Sequence, residues 1–146
     1  MSTTGVFPGS FDPWHAGHQD VLDKALNVFD NVIIAQGVNP DKKISERERL
    51  PPVLKVTYPG RVRFAAYTTT LVDFIKSMPE ATAIIRGLRN GKDLENERSQ
   101  QFWNEDLAKE IGYNLPPTVY FITDRSLIHI SSSAIRVADK LKKGRK

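Results

Sequence analysis

The stretch FPGSFDPWHAGH, residues 7–18, decides how the rest of the chain is read. It closes the first apolar run, TGVFPG, and crowds two glycines, two prolines and two histidines into one connection. A simple turn needs one or two such residues. Gly9 and Ser10 leave the end of the run without a bulky side chain, so backbone can approach a ligand there. Just beyond, HQDVLDKALNVF carries Val21, Leu22, Ala25, Leu26 and Phe29 at helical spacing. A helix starting near residue 16 aims its unpaired N–H groups and the positive end of its dipole at the same place. Ser10 adds a hydroxyl, and His15 and His18 add ring donors. One histidine ahead of a helix is ordinarily a cap or a packing residue. Two in this glycine setting form an anion pocket suited to a phosphate. A metal site of Asp12, His15 and His18 is the weaker reading, because Asp12 precedes a proline and organises the turn.

Outward from this stretch, apolar runs alternate with amphipathic ones. NVIIAQGV, RVRFAAY, ATAIIRG and PTVYFIT read as strands beside TGVFPG. LVDFIKSM reads as a short helix closed by Pro79, and residues 93–111 as a longer one with Gly112 at its C-terminal cap. ISERERL opens with a capping box, Ser45 and Glu48, before Pro51 and Pro52 disturb the helix. SSSAIRVADKLKK reads as a final helix behind a serine cap. The alternation predicts an α/β fold: a Rossmann-like, doubly wound, five-stranded parallel sheet with helices on both faces, in a single domain. Ligands of such sheets sit beyond the carboxyl ends of the strands.

The unusual chemistry falls at those ends. NPDKK puts Lys42 and Lys43 after the second strand, where an anion role and a plain solvated loop are both open. IIRGLRNGKDLENE puts Arg86 at a strand end, where a guanidinium is costly unless it meets an anion. Gly87 and Arg89 follow. Glu95 and Glu97 come next on a helix, where solvation is their ordinary role. ISSS stacks Ser131, Ser132 and Ser133 at a helix start. One hydroxyl would cap the helix, and three with the helix N–H groups form a second phosphate cradle. His129 alone reads as packing or turn.

Several chemistries are excluded. No G-x-G-x-x-G follows the first strand, and GLRNGKD has three residues between its glycines where a phosphate-binding Walker loop has four. The chain has no cysteine, which removes disulfides, thiolate catalysis and cysteine-held metals. There is no Ser-His-Asp arrangement and no obvious carboxylate pair. A site made of donors and cations fits phosphoryl or nucleotidyl transfer, where catalysis is positioning and charge stabilisation.

The chain has 146 residues, 40% hydrophobic and 26% charged, as one soluble domain should. No apolar run approaches the roughly 20 residues that span a bilayer, and the N-terminus lacks a signal-peptide pattern. A cytoplasmic setting without a membrane partner is expected. The net charge of +4 is concentrated in the final RVADKLKKGRK, which leaves the body slightly acidic. That argues against nucleic acid as the main partner.

GSFDPWHAGH together with ISSSAIR resembles the nucleotidyltransferase superfamily with an HxGH signature. FPGSFDP, NPDKK, LVDF, IIRGLR and ISSS, in that order over residues 5–137, resemble its phosphopantetheine adenylyltransferase family. The chain departs from that family's pattern at His15, where threonine is usual, and at Leu94 and Asn96. The resemblance implies one nucleotidyltransferase domain over residues 1–146. It implies adenylyl transfer from ATP to 4′-phosphopantetheine, with Mg²⁺, in a homo-oligomer, a hexamer. Nicotinamide mononucleotide as acceptor and CTP as donor are the alternatives, and a non-catalytic nucleotide- or nucleic-acid-binding protein is a third reading. By the resemblance His18, Lys42 and Arg89 are catalytic. ATP meets Ser10, Phe11, His18, Gly87, Leu88, Arg89 and Glu97, with Leu127, Ile128, His129, Ile130, Ser131, Ser132 and Ser133. The acceptor meets Ser10, Lys42, Leu71 and Arg86.

Overall fold

The computed structural model describes residues 2–39, 59–124 and 140–141. Strands β1 (Thr4–Gly9), β2 (Asn31–Gly37), β3 (Val62–Tyr67), β4 (Ala83–Leu88) and β5 (Thr118–Ile122) alternate with helices α1 (Ala16–Leu26), α2 (Leu71–Lys76) and α3 (Gly91–Glu110). A 3-10 turn, Pro59–Arg61, leads into β3. The strands form one parallel sheet in the order β3-β2-β1-β4-β5. The chain winds from β1 to one side, returns beside β1 as β4, and winds to the other. The expected doubly wound parallel sheet is therefore observed, with its switch in strand order between β1 and β4.

Strand periodicity sends alternate side chains to opposite faces. On one face Phe7, Val32, Ile34 and Ile85 pack with Val21, Leu22, Ala25 and Leu26 of α1. On the other, Val6, Ile33, Ala35 and Ile84 pack with Phe74 and Ile75 of α2. This two-sided burial is why NVIIAQG reads as a continuous apolar run. Caps set the helix starts. Thr70 accepts the Asp73 N–H at 3.1 Å, and Asn90 accepts the Asp93 N–H at 3.0 Å. Asn90 thus starts α3 two residues earlier than its apolar pattern predicts. At the far end Ile111 is the cap and Gly112 follows it with φ 69, a left-handed turn that suits glycine. The capping box at Ser45 and Glu48 lies outside the described residues. So does all of the expected final helix except Lys140 and Leu141, which are helical.

The sheet opens where the strand order switches. β1 pairs with β2 along its whole length, Thr4 to Gly9, but with β4 only at Gly5–Ala83 and Val6–Ile84. Pro8 has no N–H to give to β4. Its carbonyl, on that same edge, accepts from Arg86 Nη1 at 2.8 Å instead. Beyond Val6 the two central strands no longer pair, and a crevice opens between them.

Candidate active site

The turn after β1 begins the site. Phe11 takes φ 48, an unusual value for a non-glycine residue, and its buried ring packs against Phe7, Trp14 and His18. That packing holds the chain reversal that brings His15 to the start of α1. The buried Gln36 donates to the Ser10 carbonyl at 3.0 Å and fixes the loop from below. His15 Nδ1 accepts the Gly17 N–H at 3.1 Å, and His18 Nδ1 accepts the His15 N–H at 3.1 Å. Each neutral ring must then carry its proton on Nε2. Burial, followed by the charges of His15 and Arg86, pushes the His18 pKa down to about 3. Burial and the nearby Arg89 also lower that of His15. Both rings are therefore neutral donors at ordinary pH.

These rings line a cavity of about 300 Å³ with Ser10, Gly17, Arg89 and Thr123. A second cavity, about 450 Å³, runs past Tyr67, Thr70, Leu71, Trp103 and Tyr120. The two share a seam formed by Pro8, Gly9, Ser10, Arg86 and Glu97. Arg86 meets its anion within the protein. Its Nε and Nη2 donate to the two oxygens of Glu97, each at 2.7 Å. Glu97 is thus a paired, mostly buried carboxylate and does not merely solvate its helix. Burial alone would lower the Arg86 pKa, but the Glu97 carboxylate outweighs it and holds the pKa above its ordinary value. Arg89 donates through Nε and Nη2 to Asp93 at 2.9 and 3.2 Å. That bond holds Asp93 below the usual carboxylate range.

Ser10, Phe11, His18, Gly87, Arg89 and Glu97 come together around the first cavity, and Ser10, Leu71 and Arg86 around the second. Leu88 does not join them. It is buried in the sheet, and its carbonyl accepts the Thr123 N–H at 2.8 Å. Lys42 and the segment Leu127, Ile128, His129, Ile130, Ser131, Ser132 and Ser133 lie outside the described residues. Sequence reasoning missed Tyr67, Thr70, Trp103, Thr123 and Tyr120. Tyr67, Thr70 and Thr123 stand at carboxyl ends of strands, the one signal that could have found them. Among the described residues no three His, Asp or Glu gather to hold an ion, and the two carboxylates of the first cavity are engaged by arginines. These residues do not form a protein cage for Mg²⁺. No helix among them is long and apolar enough to cross a membrane.

Residues 6–138 match the cytidylyltransferase-like family. A phosphopantetheine adenylyltransferase of Christiangramia forsetii is 42% identical over 135 residues, covering 90% of this chain and 84% of that protein. Proteins of the same name from Clostridium perfringens and Porphyromonas gingivalis are each 38% identical. They cover 90% of this chain, and 79% and 83% of their own lengths respectively. A lipopolysaccharide core biosynthesis protein of Thermoplasma volcanium superposes with a TM-score of 0.51 at 14% identity, over 85% of this chain and 98% of that one. That last likeness concerns the fold alone. With this sheet, this turn and these relatives, the chain belongs to the phosphopantetheine adenylyltransferases of the cytidylyltransferase-like family.

Proposed function

We propose that the protein transfers the adenylyl group of ATP to 4′-phosphopantetheine, giving dephospho-coenzyme A and pyrophosphate. The observation that carries this reading is the seam. A donor-lined cavity and a longer, mixed cavity meet at Arg86, as a reaction joining two phosphates requires. Nicotinamide mononucleotide and CTP find no support in the relatives above.

In this reading the triphosphate lies in the first cavity, against the start of α1, the His18 Nε2–H and Arg89. The acceptor lies in the second, along Leu71, with its phosphate at the seam on Arg86. An acceptor phosphate oxygen attacks the α-phosphorus. The new P–O bond forms as the bond to the β-phosphate breaks, and pyrophosphate leaves with the electron pair. No proton need pass through the protein. His18, neutral and fixed, donates to charge that grows in the transition state and needs no reorganisation to do so. An arriving triphosphate supplies negative charge and draws the His18 pKa back up. Lys42 and residues 127–133 complete the phosphate contacts as the family resemblance implies. Mg²⁺, which the family resemblance implies, would be held by the nucleotide's own phosphates and would supply charge neutralisation there.

We further propose the family's hexamer. Phe102, Trp103 and Ile122 are exposed apolar side chains that a subunit contact would cover. Light scattering on an eluting peak measures this. The test of function is pyrophosphate release with Mg²⁺ and ATP or CTP, each crossed with 4′-phosphopantetheine or nicotinamide mononucleotide. Release with ATP and 4′-phosphopantetheine is expected. Release only with another pair moves the acceptor or the nucleotide, and none from folded protein favours a binding role.

A further inference from the structure

Helix α3 offers two carboxylates to β4, one turn apart. Asp93 and Glu97 are four residues apart and so leave the same side of the helix. Each meets a different arginine. Asp93 Oδ2 accepts the Arg89 backbone N–H and Nε, both at 2.9 Å, while Oδ1 accepts Nη2 at 3.2 Å. Glu97 takes Nε and Nη2 of Arg86 at 2.7 Å each. In both cases two carboxylate oxygens face Nε and Nη2 side-on. That arrangement fixes the plane of a guanidinium as well as its place.

Donor arithmetic shows what the second lock leaves over. A guanidinium has five N–H groups. Glu97 takes two and the Pro8 carbonyl one, so one remains on each terminal nitrogen. A lone arginine at the seam could turn its fork toward either cavity. This one cannot turn without giving up three hydrogen bonds in a site where the pair is only 29% and 19% exposed. The locks also differ in location. Arg86 and Glu97 line both cavities, whereas Arg89 and Asp93 line only the first.

We propose that Asp93 and Glu97 are positioning residues that set the two arginines for different substrates, Arg89 for the nucleotide's phosphates and Arg86 for the phosphate of the acceptor. The proposal rests on the adenylyl-transfer reading above. It gives Asp93 a role and gives Glu97, which lines both cavities, a hold on the acceptor's arginine.

The test pairs kinetics with a spectrum. Glu97→Gln replaces one oxygen with a donor that opposes an arginine N–H, which breaks the side-on fork. It should raise the KM for 4′-phosphopantetheine about tenfold, the effect of one lost charged hydrogen bond, and raise the KM for ATP by clearly less. Asp93→Asn should do the reverse. Glu97→Asp keeps the charge but draws the carboxyl back by one methylene, and should weaken the acceptor as Gln does. In the ¹⁵N–¹H spectrum of the ligand-free protein, the Nε–H signals of Arg86 and Arg89 should both be sharp and slow to exchange. Glu97→Gln should broaden only that of Arg86, and Asp93→Asn only that of Arg89. A Glu97→Gln enzyme that loses ATP and keeps the acceptor overturns the proposal, as does a Glu97→Asp enzyme indistinguishable from wild type. Nε–H signals unmoved by either substitution overturn it too. Wild-type protein inactive with ATP and 4′-phosphopantetheine refutes the adenylyl-transfer reading instead, and the spectrum still decides whether the locks exist.

Discussion

The imidazole of His18 stacks on that of His15, with ring centroids 3.7 Å apart and 22° between the planes. A proton on His18 would be buried away from water first of all, and would also sit against its neighbour and near Arg86, so the folded protein keeps the ring neutral down to about pH 3. The unfolded chain takes up that proton near pH 6.5. Between those values the unfolded state binds more protons, so stability rises with pH and is lost as pH falls below about 6.5. The slope from this one group reaches about 1.4 kcal/mol per pH unit. The urea midpoint of the ligand-free protein should drop between about pH 7 and pH 5, and less so in His18→Gln. A His18 ring signal that titrates near neutrality by NMR would contradict this.

His18→Ala should act on turnover more than on binding. Removing a fixed donor to transition-state charge costs about 2.7–4 kcal/mol, or roughly a hundred- to thousandfold in kcat. Steady-state kinetics with both substrates varied would measure it. An unchanged kcat takes His18 out of the mechanism.

Gly87 stands where β4 passes under α1, and a Cβ there would lie 2.7 Å from Val21 Cγ2. Val21 is buried in the core, so moving it aside costs packing. Gly87→Ala should destabilise by about 1–3 kcal/mol. It should also raise the KM for ATP, because α1 carries His18. Val21→Ala removes the offending methyl, so the double variant should be more stable than the sum of the single effects, with a coupling of about 0.5–3 kcal/mol. Strict additivity in denaturant titrations would show that the two side chains do not meet.

Arg61 ties the end of α1 to the strand layer. Its Nε donates to the Asp30 carbonyl at 2.7 Å, and its Nη2 to the carbonyls of Leu26 and Phe29. Arg61→Met keeps the aliphatic stem and strands those carbonyls. A loss of about 2–3 kcal/mol is expected, given bonds from a charged donor. Both KM values should stay near wild type. A variant as stable as the parent would mean that water serves those carbonyls equally well.

The central strands β1, β2 and β4 were legible because their burial is two-sided. NVIIAQG and ATAIIRG have no polar face to confuse with a helix. The first turn was legible because its glycines, the helix start and the two histidine rings stand close together in sequence. The arginine locks were not. Arg86 and Glu97 are 11 residues apart, and nothing in that spacing says which face of α3 returns to β4. Asp93 reads as an ordinary first-turn acid of a helix. The second cavity was hidden for a related reason, since Tyr67, Leu71, Trp103 and Tyr120 come from four different elements. The start of α3 was misjudged because a cap residue, Asn90, and not an apolar one, sets it.

Pro8 bears on how the protein tolerates mutation. A hollow kept open only by packing can be lost to one larger neighbour or to a shift of a helix. The gap between β1 and β4 has another origin, because a pyrrolidine ring stands where a closing donor would be. A Pro8→Ala change, small as it is, would hand β1 an amide hydrogen on the edge that faces β4, with the carbonyl still held by Arg86. That donor would favour further pairing along β4 and so narrow the seam between the two cavities.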